Sequence, residues 1–172
     1  ETFFEIGAAN GIQVTHVAAK RYEDSGFTRA VFRGANYRGA NISPDLVNET
    51  VAALAKTPSF VYLYVNDLDV AGHVAGVGSE KWLASLRGID DLLAQLNAKL
   101  PNGTRVWITG DHGMINAEEK IVIGRDNLLA TELATIGGEP LFRHIYLNRP
   151  EVAKEVASLW EAELGNRVSV FT

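Results

Sequence analysis

Two short polar segments contain the residues whose types and spacing are best suited to chemistry. The first reads Asn-Asp-Leu-Asp-Val-Ala-Gly-His and places Asp69 four residues before His73. The second reads Gly-Asp-His-Gly-Met and places Asp111 next to His112. Carboxylate oxygens and imidazole nitrogens together suit Zn²⁺ and are acceptable to Mn²⁺ or Fe. Each Asp–His pair is therefore a candidate for holding one metal ion.

Both segments follow runs that have the pattern of buried strands. Ser59–Val65 is almost continuously apolar and aromatic, which is typical of a strand covered on both faces of a parallel sheet, and Thr104–Thr109 has a similar pattern. The intervening Ser79–Leu100 predicts a helix. This βαβ order predicts parallel strands joined by a right-handed crossover. Both polar segments would then lie at the same edge of the sheet, where ligands of such sheets bind.

Turn formation is an alternative explanation for each segment taken separately. Asp and Gly are common in strand-to-helix loops, where they cap helices and form turns without binding a ligand. The joint position of the two segments after parallel strands gives a metal site equal weight with this alternative, and the residue pattern alone leaves both open.

Hydrophobic periodicity extends the prediction to the whole chain. The 79–100 helix carries one apolar stripe, which is Trp82, Leu86, Ile89, Leu93, Leu96 and Leu100. A helix over residues 2–10, a strand over 13–19, and a helix capped by Ser43 with Pro44 at its first position precede it. We predict an α/β fold with a mostly parallel sheet flanked by helices.

The pattern of predicted elements changes after residue 118. Short strands are predicted at 120–123, 141–147 and 167–171, with a helix between Pro150 and Gly165. We therefore predict a partial α/β core over residues 1–118 and a small α/β subdomain or insertion over 119–172.

Composition excludes several classes of protein. The 172 residues are 47% hydrophobic and 22% charged, which is enough apolar material for a folded core. The absence of cysteine excludes disulfides and cysteine-ligated zinc. A net charge of −5 argues against nucleic-acid binding, and no segment approaches the roughly 20 apolar residues of a membrane span.

The two polar segments, with the residues around them, resemble a known family. Residues 62–76 resemble the second metal motif of nucleotide pyrophosphatases/phosphodiesterases in the alkaline phosphatase superfamily, an aromatic strand followed by Asp, three residues, His and Gly. Residues 109–114 resemble its Ser/Thr-x-Asp-His-Gly-Met motif, and Ile89-Asp90 matches a pair on the family's intervening helix. Residues 137–146 resemble a bacterial branch of alkaline phosphatase family proteins.

The resemblance implies a partial alkaline-phosphatase-like core and a two-zinc phosphohydrolase acting on a phosphate ester or nucleotide-like small molecule. By position, Asp69 and His73 would hold one zinc, and Asp111 and His112 the other. The family adds a His from a later His-Gly motif, an early Asp, and a Thr or Ser nucleophile. These three have no counterpart here: His16 and His144 are interpreted as structural or surface residues, and Thr28 lies outside the nucleophile motif.

We therefore expect the chain to be the middle part of a longer enzyme, with weak or partial metal occupancy and no turnover by itself. Two alternatives remain open. One is a sulfatase or a phosphoglycerate-mutase-like member of the same superfamily. The other is a non-catalytic metal-binding or interaction domain.

Overall fold

The computed structural model of the chain describes residues 1–124 and 127–172. The chain divides into two compact units, Glu1–Asn116 and Ala117–Thr172. Parallel strands with helices form the first unit, and an antiparallel hairpin with one α-helix is the main structure of the second. The predicted α/β class is confirmed.

The first unit alternates helices and strands from its beginning. In chain order these are α1 (Phe3–Ala9), β1 (Gln13–Ala18), α2 (Gly26–Val31), β2 (Asn36–Gly39), α3 (Ser43–Ala53), β3 (Ser59–Leu63), α4 (Asp67–Ala75) and α5 (Glu80–Lys99). Ser79 caps α5 by accepting a hydrogen bond of 3.2 Å from the backbone N–H of Trp82. The predicted cap of α3 is wrong by one residue, because Ile42 already has the extended backbone of a cap and Ser43 is helical.

Strand β1 is the centre of the sheet. It pairs in parallel with β2 on one side and with β3 on the other, with Thr15 opposite both Asn36 and Val61. The carboxyl ends of the three strands therefore lie at one edge of the sheet. Helix α4 begins at this edge, with three residues between it and the end of β3.

One face of the sheet packs against α3 and α5. The buried residues of this core are Val17, Ala40, Leu46, Val47, Leu92 and Leu96. The predicted stripe of α5 is confirmed at Leu96, which is buried, and at Leu93 and Leu100, which are partly buried against this core. Leu92 is buried without having been predicted, and Leu86 is 40% exposed. The second half of α5 packs into this core. The first half lies beside the short helix α4, which leaves more of that half of α5 exposed.

The opposite face of the sheet is aromatic and only partly covered. Phe60 and Tyr62 on β3 remain 41% and 37% exposed, so the prediction of a strand buried on both faces is wrong. Ring side chains from α1 and from the end of α2, Phe4 and Phe32, contact this face. They cover less area than a full layer of helices would.

The predicted strand at 104–109 does not form. In the described part of the chain this segment pairs with no strand, and Trp107 is 89% exposed. The predicted right-handed crossover to it is therefore absent. An apolar run becomes a strand only when a neighbouring strand satisfies its backbone groups, and no backbone ladder joins this segment to β3.

The second unit contains a hairpin of β4 (Leu133–Glu139) and β5 (Phe142–Leu147), followed by α6 (Ala153–Leu164). The predicted strand near 141–147 and the helix between Pro150 and Gly165 are confirmed. The predicted strands at 120–123 and 167–171 do not form, and β4 was not predicted. Its Gly137-Gly138 pair is typical of turns, but both glycines pair with β5, opposite His144 and Arg143.

Buried side chains from the hairpin's neighbours form the core of the second unit. They are Leu129, Val156, Trp160 and Leu164. No helix among residues 1–124 and 127–172 is both long and apolar enough to cross a bilayer.

His16 is buried in the aromatic face of the sheet. Its ring centroid lies 4.0 Å from that of Phe32, 5.0 Å from that of Tyr37 and 5.4 Å from that of Tyr62. Neither ring nitrogen has a hydrogen-bond partner among the residues that the structure describes. Burial lowers the pKa of His16 to about 4, because the ring is removed from the water that would stabilise its charged form.

This buried imidazole predicts a loss of stability in mild acid. The unfolded chain takes up a proton at His16 near pH 6.5, whereas the folded chain does so only near pH 4. The unfolded state therefore binds more protons between these values, and the free energy of unfolding falls as pH falls through this window, by about 3 kcal/mol in total. Urea unfolding between pH 7 and 4 measures it.

His16→Phe is the matched control, because it keeps an aromatic ring among the same neighbours and removes the titration. We expect the variant to lose about 3 kcal/mol less than the parent over that pH range. Equal losses in the two proteins would contradict the assignment of the acid sensitivity to His16.

Candidate metal centre

The first Asp–His pair lies on one side of α4. Asp69 and His73 are one helical turn apart, and His73 Nε2 is 3.4 Å from Asp69 Oδ1. Helix α4 begins close to the carboxyl end of β3, so that the topology of the sheet places this pair at the edge where ligands bind. The i, i+4 spacing directs both side chains to the same region of the helix surface.

One oxygen of Asp69 has an unsatisfied environment. Oδ1 is shielded from solvent and accepts no hydrogen bond from any residue that the structure describes, and its distance to His73 Nε2 exceeds that of an ordinary N–H···O bond. A buried carboxylate oxygen without a donor is costly, and a cation shared with the imidazole would satisfy it. The donor set and this orphaned oxygen therefore fit a metal ion.

The second pair lies in a non-helical segment that follows residues 104–109. Asp111 Oδ2 is 3.8 Å from His112 Nε2, and Asp111 Oδ1 accepts a hydrogen bond of 3.1 Å from the backbone N–H of His112. His112 Nδ1 lies 2.8 Å from the carbonyl oxygen of Gly113. When Nδ1 carries the proton and donates it there, Nε2 presents a lone pair, which is the state that a metal-binding histidine requires.

Two side chains attach this second segment to α4. The thioether of Met114 packs so closely on Gly72 that a Cβ at residue 72 would overlap Sδ. The side-chain amide of Asn116 hydrogen-bonds with the backbone of Val77, just beyond the end of α4. These contacts bring the two segments together, although the strand expected to do so is absent.

Tyr64 is sensitive to charge from both segments. Burial raises the pKa of its phenol, and the negative charges of Asp111 and Asp69 are among the causes that raise it further. Both carboxylates therefore act on one side chain at the carboxyl edge of the sheet.

Each pair offers two candidate ligands. Among the residues that the structure describes, no three His, Asp or Glu side chains are grouped closely enough to hold one ion. His16 lies buried in the aromatic face instead, and His144 is exposed on β5, where its ring contacts Phe142. Thr28 is buried in α2, where its backbone N–H and its hydroxyl both bond with the Ser25 hydroxyl.

Arg21 was missed by the sequence analysis. Its Nη2 donates hydrogen bonds to the hydroxyl of Tyr22 at 2.8 Å and to Oδ1 of Asn66 at 3.3 Å. Asn66 Nδ2 in turn donates to the same hydroxyl at 2.9 Å. These partners are neutral, and no carboxylate in the described chain lies within ion-pair distance of Arg21. Its position just beyond β1, at the ligand edge, was the available signal.

The arginine contributes to the wall of a groove of about 430 Å³. Its polar lining includes Asn66, Asp67, Lys81 and Ser85, and Val70 and Val74 of α4 are among its apolar residues. The groove thus combines two cations and one carboxylate with an apolar wall. This composition suits an anionic group attached to an apolar body.

Comparison with known proteins gives a match to a family model. The sequence model of a family described as type I phosphodiesterase / nucleotide pyrophosphatase matches residues 9–170. No curated protein and no solved structure matches the chain.

The contact between Gly72 and Met114 predicts a specific response to a methyl group. Gly72→Ala should displace the Met114 thioether from α4, and the NMR signal of the Met114 methyl should then move towards its position in a disordered peptide. Met114 is the single methionine of the sequence, so its labelled methyl group gives one signal.

Gly88→Ala provides the matched control, because Gly88 also lies inside a helix but a Cβ there meets nothing within 4 Å. It should leave the methyl signal in place and raise the free energy of unfolding by up to about 1 kcal/mol. Gly72→Ala should raise the free energy of unfolding by less than Gly88→Ala does, because its methyl group competes with the Met114 side chain for the same space. An unchanged Met114 signal in Gly72→Ala would contradict the predicted displacement.

Proposed function

Because the chain belongs to the type I phosphodiesterase/nucleotide pyrophosphatase family, we propose that it contributes the metal-binding edge of a two-zinc phosphohydrolase. Family membership confirms the resemblance predicted from residues 62–76 and 109–114. It also supports a hydrolase of the alkaline phosphatase superfamily with phosphodiester or nucleotide substrates. The assignment of zinc, ligands and nucleophile is our proposal.

The observation that carries this proposal is the orphaned oxygen of Asp69. In the described part of the chain Oδ1 is buried without a hydrogen bond, and the imidazole nitrogen of His73 faces it at 3.4 Å. A helix cap or a turn would have supplied that oxygen with an N–H donor. Its environment instead supports a role as ligand, and so favours the metal interpretation of this segment over the turn interpretation.

In the proposed arrangement Asp69 and His73 hold one ion, and Asp111 and His112 hold the other. Oxygen and nitrogen donors of this kind suit Zn²⁺, with Mn²⁺ or Fe as other possible occupants. When bound, the metal supplies Lewis acidity towards phosphoryl oxygens and lowers the pKa of a hydroxyl nucleophile. Arg21 adds a fixed positive charge at the same sheet edge, suited to an anionic group of the substrate.

The nucleophile and the remaining ligands are proposed to come from outside these 172 residues. Two ligands are fewer than the three or four that zinc takes from proteins. Thr28 is a poor candidate for the nucleophile, since it is only 8% exposed and its hydroxyl is bonded to Ser25.

Metal titration tests the ligand assignment on the chain itself. We expect weak, partial Zn²⁺ binding, because each pair supplies only two donors. The double variant Asp69→Asn/Asp111→Asn should abolish this binding. Asp24→Asn, which removes an exposed carboxylate elsewhere, should leave it unchanged. Competition against a chromophoric chelator, with circular dichroism as the check on folding, measures both effects.

Two outcomes of this titration would contradict the proposal. Two tightly bound zinc ions per chain would show that the sites are complete without further ligands. Equal binding by the parent and the double variant would show that these carboxylates are not the ligands.

Hydrolysis of bis-p-nitrophenyl phosphate in the presence of Zn²⁺ tests the reaction. The 172-residue chain should show no turnover, whereas the longer protein that carries the nucleophile should be active. Asp69→Asn in that protein should lower kcat/KM by more than about 100-fold, since even the partners that orient metal ligands contribute 10- to 100-fold. Asp24→Asn is again the control.

A longer protein that binds zinc and hydrolyses no phosphodiester or phosphomonoester would rule out the phosphohydrolase assignment. It would favour the alternative of a metal-binding or interaction domain without catalysis.

A further inference from the structure

Asn116 makes a reciprocal pair of hydrogen bonds with one backbone residue. The N–H of Val77 donates to Asn116 Oδ1 at 2.7 Å, and Asn116 Nδ2 donates to the carbonyl oxygen of Val77 at 3.0 Å. A side-chain amide that satisfies both polar groups of one residue is held in position and in orientation, because each bond restricts rotation about the other.

The turn after α4 has the shape that this contact needs. Gly76 ends the helix with φ of +87°, a left-handed value that favours glycine. A Cβ on Gly76 would stand 3.0 Å from Asn116 Oδ1, which is tighter than ordinary packing allows. The backbone of the turn and the amide of Asn116 therefore fit each other closely.

Met114 provides a second point of attachment. Its thioether lies against Gly72 of α4, in a space that any larger residue at position 72 would occupy. Trp82 of α5 is close by, since its Cδ1 would be 3.5 Å from a Cβ at residue 72. Attachment at two separate points limits both the position and the tilt of the segment relative to α4.

These two contacts fix the position of the segment relative to α4, which strand pairing does not do here. Residues 104–109 pair with no strand in the described chain, so the sheet does not locate the segment that follows them. We propose that Asn116 is a positioning residue. Together with Met114 it holds Asp111 and His112 at a fixed position relative to Asp69 and His73.

The separation of the two pairs then depends on a side-chain clamp, Met114 and Asn116, rather than on strand pairing. This inference rests on the proposed function in so far as the two pairs bind metal ions. The clamp itself is a property of the metal-free chain and can be tested without metal.

Spin labels can measure the clamp directly. The chain has no cysteine, so Val74→Cys and Ile115→Cys introduce two unique labelling sites. Both native side chains are exposed, at 72% and 69%, so labels there meet little of the core. Dipolar broadening in the EPR spectrum then reports the distance between α4 and the clamped segment.

We expect a narrow distance distribution in the doubly labelled parent and a broad one, extending to longer distances, after Asn116→Ala. Asn116→Asp should be intermediate, because it keeps the acceptor for the N–H of Val77 and loses the donor to its carbonyl oxygen. Asn97→Ala removes an exposed asparagine of α5 and should leave the distribution unchanged. Circular dichroism should show the same helix content in all variants.

A broad distribution in the parent, or equal distributions in Asn116→Ala and Asn97→Ala, would overturn the clamp. A merely structural role for Asn116 would lower the thermal midpoint and leave the distance distribution of the folded chain unchanged, and that result would also overturn it.

Zinc titration of the same variants separates this inference from the proposed function. Each proposed ion is held within one segment, so Asn116→Ala should leave the weak Zn²⁺ affinity of either pair unchanged, while the distance distribution of the zinc-loaded variant stays as broad as it is without metal. A narrow distribution in zinc-loaded Asn116→Ala would overturn the positioning role. A parent chain with a narrow distribution and no zinc binding would refute the proposed function and leave the clamp intact.

Discussion

Parallel pairing on both sides of β1 is the constraint on which the first unit depends. Because β2 and β3 run in the same direction as β1, all three strands end at one edge of the sheet. The chain leaves β3 at that edge and enters α4 after three residues, so that Asp69 and His73 are placed by the sheet itself. The packing of α3 and α5 on one face of the sheet buries the apolar residues that hold this arrangement.

The second Asp–His pair is placed by a different kind of interaction. Its segment follows residues 104–109, which pair with no strand among residues 1–124 and 127–172, and it is connected to α4 through Met114 and Asn116. One pair is thus located by backbone topology and the other by side-chain contacts. This difference matches the exposure of the carboxylates, since the side chain of Asp111 is 78% exposed and that of Asp69 is 42% exposed.

Local patterns predicted those elements whose stabilising contacts are local or follow directly from periodicity. Helix α5 begins after its Ser79 cap, and α6 ends at Gly165, because capping and backbone conformation act within a few residues. The run at 104–109 has the same apolar character as β3, yet only β3 has a neighbouring strand. Strand formation requires a partner distant in sequence, and a single-sequence pattern does not contain that information.

The sequence by itself determined the α/β class and the family, and it predicted four candidate ligands, since residue type and spacing carry the donor chemistry. Only the tertiary structure decided how those residues are placed. The tertiary structure buries Asp69 Oδ1, orients Arg21 through hydrogen bonds to neutral partners, and brings Asn116 into contact with Val77. The contacts of Arg21 with Asn66 and of Asn116 with Val77 form only when the chain is compact, because they join residues that are distant in sequence and follow no repeating pattern.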